Sequence, residues 1–299
     1  ALPRQGIDVR MVSHDDFAGF DQAIDENTRA IFCESIGNPA GNVVDIEQLA
    51  NIAHKHGVPL IVDNTVATPY LCRPIEFGAD IIVHSLTKYI GGHGTSIGGI
   101  IIDSGTFDWV KNKDRFAMLN EPDPSYHGVI YTEALGPAAY IGRCRVAPLR
   151  NTGAAISPFN AFQILQGLET LGLRMERHCE NAEKLANYLK SHDKIEWVNY
   201  AALNDSPYQQ TCQKITAGKA SGILSFGITG GLKSGEQFID ALEMILRLVN
   251  IGDAKSLACH PASTTHRQLN DDELAAAGVS ADLVRISVGI ENIDDIIAD

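Results

Sequence analysis

Short, continuously apolar runs in the first third of the sequence constrain its fold more than any other feature. They cover residues Arg29–Glu34, Val58–Val62 and Ala79–Val83, and segments long enough for helices separate them. Strands that are apolar on both faces and alternate with helices form a parallel sheet that is covered on both sides. The sequence therefore predicts an α/β fold, built on a mostly parallel sheet with helices on both faces.

Local signals support this arrangement. Asp45 is suited to cap a helix whose apolar residues share one face, and Gly57 is suited to end it. After the glycine-rich stretch Gly91–Gly94, the run Ile97–Ile102 predicts one more strand. Because the connection before this run is too short for a helical crossover, we expect the strand to be antiparallel.

In the second half of the chain, the predicted strands and helices do not alternate at the short, regular interval of the first half. A long helix is predicted over Ser157–Leu189, since Ser157 followed by Pro158 is a typical helix start. Further strands are predicted over Lys194–Tyr200, Ser221–Ile228 and Leu283–Ile290, with a helix over Gly235–Leu248. We therefore expect two domains, a larger one over residues 1–175 and a smaller C-terminal α/β domain over 176–299.

Charge and cysteine content exclude several kinds of partner. The net charge of −13 argues against nucleic acid or an anionic membrane surface as a partner. No apolar run reaches the roughly 18 residues that a membrane span needs. The cysteines form no CxxC pair and none lies near a histidine at zinc spacing, so no metal site is predicted; they are Cys33, Cys72, Cys144, Cys179, Cys212 and Cys259. Six reduced thiols are typical of a cytoplasmic protein.

Three polar residues stand just beyond apolar runs at one interval. Asn38, Asp63 and Lys88 are each 25 residues apart. One strand, one helix and two turns repeat at about this length, so all three should project from the same edge of the sheet. In parallel α/β sheets, ligands bind beyond the carboxyl ends of the strands. The spacing predicts that the residues lie together, and their chemistry must come from the residue types.

The residue types point to a particular cofactor. An amine in a desolvated pocket, as Lys88 would be, has a lowered pKa and can form a Schiff base. The hydroxyls of Ser85 and Thr87 are suited to a phosphate. Asp63 ends an apolar strand and needs a cation, and an Asp facing a protonated pyridine nitrogen together with a Schiff-base Lys is what pyridoxal phosphate requires. A solvated Lys88, and an Asp63 that pairs with an arginine or caps a turn, remain alternatives.

Three segments carry a resemblance to a known family. The segments ESIGNP, VDNTVATPYLCRPIEFGADIIVHSLTKYIGGHG and LVRISVGIEN resemble the Cys/Met-metabolism family of pyridoxal-phosphate enzymes. The resemblance covers the whole chain and implies the PLP-dependent transferase fold type I, which is aspartate aminotransferase-like. It also implies that Lys88 forms the Schiff base and that Asp63 pairs with the pyridine nitrogen. It implies further that Asn38 bonds the phenolic oxygen region, while Ser85 and Thr87 hold the phosphate.

The same resemblance implies the substrate contacts. Arg285 would bind the substrate carboxylate, and Ser256 would lie beside the substrate. A planar guanidinium grips a carboxylate with two hydrogen bonds, which suits Arg285 in its otherwise apolar strand. The stretch that contains Tyr126, His127 and Tyr131 resembles the O-acetylhomoserine sulfhydrylase branch of the family, although these rings could serve packing and no catalytic role is assigned to them.

That branch implies γ-replacement, in which O-acetyl-L-homoserine and sulfide or a thiol give L-homocysteine and acetate in methionine and cysteine biosynthesis. Methionine γ-lyase, cystathionine γ-lyase and cystathionine γ-synthase are alternatives within the family, and an inactive fragment is an alternative outside enzymes. The family implies a homo-oligomer, a dimer of dimers with shared active sites. Its phosphate-binding turn and ring-stacking aromatic do not occur ahead of Asn38, so we expect an N-terminally truncated chain of a longer enzyme.

Overall fold

The first half of the chain is organised by a four-stranded sheet. The structure is a computed structural model that describes residues 2–264, 267–268, 270, 274 and 279–299. The strands are β1 (Ile31–Glu34), β2 (Leu60–Asp63), β3 (Ile81–Ser85) and β4 (Gly99–Asp103), in that spatial order. β1, β2 and β3 are parallel, and β4 is antiparallel to β3. This confirms the predicted mostly parallel sheet and its antiparallel fourth strand.

Helices and turns connect these strands. The helices are α1 (Phe17–Ala23), α2 (Ile46–Lys55), α3 (Thr68–Leu71), α4 (Ala117–Asn120), α5 (Tyr131–Leu135), α6 (Ala139–Cys144) and α7 (Arg150–Thr152). Leu2–Gln5, Pro74–Phe77 and Gly136–Ala138 form 3-10 turns, and Arg145–Leu149 forms a π-helical turn. The predicted cap of α2 is confirmed, because the Asp45 carboxylate accepts a hydrogen bond from the Gln48 N–H at 3.2 Å. Gly57 follows the end of α2 with φ +65°, a left-handed conformation that suits glycine.

The second half of the chain contains a five-stranded sheet. Its strands are β5 (Ile195–Asn199), β6 (Ile223–Ile228), β7 (Leu246–Arg247), β8 (Leu257–Cys259) and β9 (Leu283–Ser287), in the order β5-β6-β9-β8-β7. All neighbours are antiparallel except β7 and β8. Every residue of β6 and β9 is buried, so these strands form the centre of the C-terminal half.

The helices of this half are α8 (Pro158–Glu169), α9 (Leu171–Lys190), α10 (Gln209–Thr216), α11 (Gly231–Ala241) and α12 (Ile293–Ala298), with a 3-10 turn at Pro261–Ser263. Ser157 caps α8 as predicted. The prediction of one helix from Ser157 to Leu189 is wrong, because the helix is interrupted at Thr170, between α8 and α9. The Gly167 carbonyl accepts the N–H of Thr170, three residues further on, at 3.3 Å, and it also accepts from the Arg174 guanidinium and the Thr170 hydroxyl.

The prediction of a helix over Gly235–Leu248 is also wrong at its C-terminal end. α11 ends at Ala241, and the backbone N–H groups of Glu243, Met244 and Ile245 donate to the carboxylate of Asp299 at 2.8–3.0 Å. These donors are therefore not available for a helix, and the chain continues into β7. A contact from the far end of the sequence cannot be read from local periodicity.

Helix α9 packs against elements of both halves, and one continuous apolar core includes its buried residues Met175, Ala182 and Leu185. The predicted domain boundary between residues 175 and 176 lies within α9 and stays a prediction. A separate aromatic cluster contains Phe107 and Tyr131. No helix in the described ranges is long and apolar enough to cross a membrane.

Candidate active site

The carboxyl ends of the parallel strands bring the first site residues together. Asp63 ends β2, and its carboxylate accepts a hydrogen bond from the Thr65 N–H at 2.9 Å. The Thr65 hydroxyl in turn accepts from the N–H of Ser85, which ends β3, at 2.8 Å. Glu34 ends β1 directly opposite Asp63 in the strand register. The ends of the three parallel strands therefore form one polar edge.

One ring nitrogen of a buried histidine near this edge lacks a hydrogen-bond partner among the described residues. His84 stands beside Ser85 in β3 and is 4% exposed. Its Nδ1 atom makes no hydrogen bond with any residue that the structure describes. Burial lowers the pKa of His84, and the negative charge of Asp63 opposes this effect. The lowered pKa favours the neutral ring inside the sheet, where neighbouring residues of β3 face opposite sides and Val83 is the partner of Asp63 in the register.

Lys88 lies in the turn that follows β3. Its Nζ atom donates a hydrogen bond to Oδ1 of Asn250, and the side chain is half-buried. Burial and then the positive charge of Arg285 lower the pKa of Lys88 below its usual value. An amine in this setting loses its proton more readily than a solvated lysine and becomes a nucleophile and a base.

Arg285 on β9 approaches the same region from the second sheet. It is 4% exposed, and its Nη1 donates to the Asn38 side-chain oxygen at 3.3 Å. Its Nη2 donates to the carbonyls of Val249 and Asn250 at 2.7 and 3.1 Å. The Nε atom has no partner among the described residues, and no acidic side chain of that part of the chain pairs with the guanidinium. Of its five N–H donors, two remain for an anion.

A second buried arginine provides a useful contrast. Arg174 on α9 donates through Nη1 to the carbonyl of Tyr89 at 2.6 Å and through Nη2 to those of Ile90 and Gly167 at 3.2 and 2.7 Å. Its Nε donates to the Thr170 hydroxyl at 3.1 Å. All three of its nitrogens are engaged with protein acceptors. Arg174 therefore fixes the turn after Lys88, whereas Arg285 keeps donors for a ligand.

Two predicted residues are engaged elsewhere. The Thr87 hydroxyl donates to the Gly98 carbonyl at 3.3 Å and accepts from the Gly98 N–H at 3.1 Å, so a phosphate would compete with these contacts. Ser256 is fully buried, and its hydroxyl donates to Glu291 at 2.9 Å and accepts from the Gly289 N–H at 2.8 Å. Glu291 and Gly289 therefore already engage the Ser256 hydroxyl, and the place of Ser256 beside the substrate stays a prediction.

Asn250 was missed by the sequence reasoning, although it is the residue that Lys88 contacts. It lies in the connection between β7 and β8, where no apolar pattern marks it. The signal that could have found it is Gly252, which has φ +73°. A Cβ atom there would lie 2.5 Å from the backbone nitrogen of Tyr89, so this connection packs closely against the residue that follows Lys88.

The sequence profile of the Cys/Met metabolism PLP-dependent enzymes matches residues 1–299. The chain belongs to this family of PLP-dependent enzymes. A homocysteine synthase of Schizosaccharomyces pombe is 52% identical over 299 residues, and the match covers all of this chain and 70% of that protein. An O-acetyl-L-homoserine sulfhydrylase of Leptospira meyeri is 51% identical over 307 residues, with coverage of 100% and 69%. The resemblance seen in the sequence motifs is thereby confirmed.

A solved structure also supports the family fold. A putative O-acetylhomoserine (thiol)-lyase from Campylobacter jejuni superposes with a TM-score of 0.94 and is 45% identical; the match covers all of this chain and 71% of that one. That crystal structure contains a pyridoxyl-lysine monophosphate. The predicted PLP-dependent transferase fold type I is confirmed.

The cofactor of this PLP-dependent family is pyridoxal phosphate, and the donor set of the site fits it. The lowered pKa of Lys88 suits an amine that forms a Schiff base. Asp63 offers a carboxylate at the strand edge and is linked through Thr65 to Ser85 at the end of the neighbouring strand. The unpartnered Nε of Arg285 suits the carboxylate of an amino acid.

Proposed function

We propose that this protein catalyses γ-replacement on O-acetyl-L-homoserine, with sulfide or a thiol as the incoming group and L-homocysteine and acetate as the products with sulfide. The observation that carries the proposal is that the half-buried Lys88 amine and the buried Arg285 guanidinium lie in the same region. The guanidinium has two N–H donors that the protein does not use. An amino acid presents an amine and a carboxylate, which match these two groups. The names of the relatives favour a sulfhydrylase over a γ-lyase or a cystathionine synthase.

We assign the cofactor contacts within the same proposal. Lys88 would hold pyridoxal phosphate covalently, and Asp63 would face its pyridine nitrogen. The Asn38 amide would donate to its phenolic oxygen, since the Asn38 oxygen already accepts from Arg285. Ser85 would bind the phosphate directly, and Thr87 would do so after its hydroxyl turns away from Gly98. When bound, the cofactor supplies a carbonyl carbon for the substrate amine and an electron sink for the carbanion.

The residues of the chain then have distinct tasks. Arg285 binds the substrate carboxylate through the two donors that the protein does not use. The lowered pKa of Lys88 favours the neutral amine. This amine takes the proton from Cα and moves protons between Cα and Cβ. At Cγ the C–O bond breaks, acetate leaves with the electron pair, and the sulfide lone pair forms the new C–S bond. When hydrogen sulfide is the donor, sulfur releases one proton as the C–S bond forms, and this proton balances the negative charge of acetate.

Product analysis tests this proposal. The purified chain with added pyridoxal phosphate is supplied with O-acetylhomoserine plus sulfide, and separately with methionine or cystathionine alone. We expect equal amounts of homocysteine and acetate from the first mixture. Release of 2-oxobutyrate from methionine or cystathionine as the main reaction would instead identify a γ-lyase.

A chemical trap distinguishes an enzyme from an inactive fragment. We expect borohydride to fix the cofactor on Lys88, and the Lys88→Ala variant to lose both the trapped product and turnover. Lys190→Ala is the control, because Lys190 is an exposed lysine that pairs with Asp205 on the surface. If Lys88→Ala kept both properties, the assignment of Lys88 would be wrong.

We also propose a homo-oligomer, a dimer of dimers with shared active sites. Helix α8 supports this, because apolar side chains at three-residue intervals are exposed on it; they are Phe159, Phe162, Leu165 and Leu168. Leu173 at the start of α9 is exposed as well. Contiguous exposed apolar side chains of this kind mark interaction surfaces. A cytoplasmic location is proposed with it, supported by six cysteines that are all free thiols.

A further inference from the structure

The connection between β7 and β8 is held tightly against the turn that carries Lys88. The Gly252 N–H donates to the Ser287 hydroxyl at 2.9 Å, and the Ala254 N–H donates to the Gly92 carbonyl at 2.9 Å. Gly252 is so close to the backbone nitrogen of Tyr89 that a side chain would not fit. These contacts fix the position of Asn250 relative to Lys88.

Asn250 has two different contacts within the site. Its side-chain oxygen accepts a hydrogen bond from Lys88 Nζ, and its main-chain carbonyl accepts one from Arg285 Nη2 at 3.1 Å. One residue therefore contacts both the amine that would act on the substrate and the guanidinium that would bind its carboxylate. Arg174, which holds the other side of the Lys88 turn, contacts only the backbone of Tyr89 and Ile90 there and not the amine.

The chemistry of an amine gives this contact a consequence. A neutral lysine amine has two N–H donors and one lone pair, so an acceptor that takes one N–H also determines where the lone pair can point. An amide oxygen is suited to this, because it accepts a hydrogen bond and does not itself titrate. A carboxylate in the same place would hold the amine protonated and remove it as a base.

We propose that Asn250 is a positioning residue that holds the free Lys88 amine through its side-chain oxygen and fixes the direction of its lone pair during proton transfer. This rests on the proposed γ-replacement, in which the Lys88 amine is released when the substrate amine takes its place. The main-chain contact with Arg285 is independent of the Asn250 side chain. Loss of the side chain should therefore affect proton transfer more than binding of the carboxylate.

The charges near Lys88 define what a titration would report. Arg285 on β9 is the charged group of the described chain whose field acts on the Lys88 pKa. At the ends of the parallel strands, Asp63 acts on His84, and Glu34 lies opposite Asp63. From the β7–β8 connection, Asn250 contributes a neutral amide. A new carboxylate at position 250 would therefore be an acid in direct contact with the Lys88 amine.

The first test needs neither substrate nor cofactor. The rate at which acetic anhydride labels Lys88 in the cofactor-free protein is followed by peptide mass spectrometry from pH 6 to 11, which gives the pKa of Lys88. We expect Asn250→Asp to raise this pKa by about one to three units, with a roughly tenfold or greater loss of labelling at pH 8. Asn187→Asp is the matched control, because Asn187 is exposed on α9 and bonds only its own helix. An unchanged pKa in Asn250→Asp would overturn the proposal.

The second test separates positioning from binding. In the loaded enzyme, we expect Asn250→Leu to lower kcat by about 10–100-fold and to change KM by less than about threefold, since misplacement of a reacting group by about 1 Å has effects of this size. Asn250→Ala serves if the leucine variant does not fold. A rise in KM that accounts for the whole loss would overturn the proposal. If the wild type makes no homocysteine while the labelling shift is present, the proposed γ-replacement fails and the contact of Asn250 with Lys88 stands.

Discussion

Replacement of Arg285 by lysine tests the assignment of the substrate carboxylate site most directly. Arg285 uses three donors on Asn38, Val249 and Asn250 and has two left, one of them the unpartnered Nε. The substitution keeps the positive charge that lowers the pKa of Lys88, so the amine should change little. It removes the planar fork that binds a carboxylate with two hydrogen bonds.

The size of the effect follows from the two remaining donors. A hydrogen bond between charged groups contributes about 1.5–3 kcal/mol, and lysine at this position could replace one such bond at most. Arg285→Lys should therefore lose about 1.5–3 kcal/mol of substrate binding, which corresponds to a roughly 10–150-fold loss in kcat/KM. We expect most of this loss as a higher KM for O-acetylhomoserine.

The assay compares two ligands that differ only in the carboxylate. Inhibition constants for homoserine and for its decarboxylated analogue 3-aminopropanol are measured in the wild type, in Arg285→Lys and in Arg174→Lys. We expect the preference for homoserine to fall only in Arg285→Lys. Arg174→Lys is the control for lost stability, because Arg174 is equally buried and has no nitrogen without a partner. An undiminished preference in Arg285→Lys would refute the assignment.

Three further predictions concern the cofactor, the assembly and the pH dependence of stability. Asp63→Ala should keep some borohydride-trapped cofactor but lose most of kcat, since the electron sink needs a protonated pyridine nitrogen; full kcat would contradict the pairing. Phe162→Asp should shift the protein to a smaller species in sedimentation, whereas Asn187→Asp should not, because Phe162 is 56% exposed on the apolar face of α8. Burial lowers the pKa of His178 to about 4, from 6.5 in the unfolded chain. The folded protein therefore keeps its full stability above pH 6.5, and the free energy of unfolding should fall by roughly 3 kcal/mol as the pH drops from 6.5 to 4. Chemical denaturation of wild type and His178→Gln measures this, and an equal slope in both would contradict it.

The fold of the first half could be predicted because its signals are local. Each apolar run is short and continuous, and Asp45 and Gly57 mark the ends of α2 through contacts within a few residues. The interruption of the helix at Thr170 could not be predicted, because it depends on the Arg174 side chain of α9, which donates a hydrogen bond to the Gly167 carbonyl of α8. The end of α11 depends on Asp299, which is far away in the sequence.

The candidate site shows the same division. The equal spacing of Asn38, Asp63 and Lys88 follows from the repeat of strand and helix. Asp63 ends β2, and Asn38 and Lys88 lie in the turns that follow β1 and β3. The hydrogen bond between Ser256 and Glu291 could not be predicted from the sequence, because it forms only when β8 and β9 pair. Asn250 could not be found from a pattern, since its contact with Lys88 depends on how one connection packs on a turn of the other sheet.

The Lys88 amine and the Arg285 guanidinium are carried by different sheets. The gap between them, which an amino acid must span from its nitrogen to its carboxylate, is therefore set by the packing of one half of the chain on the other. Gly252 against Tyr89 is one of the contacts that fix this gap. Substitutions at such buried contacts should therefore alter substrate affinity without any change in the residues that bind the substrate.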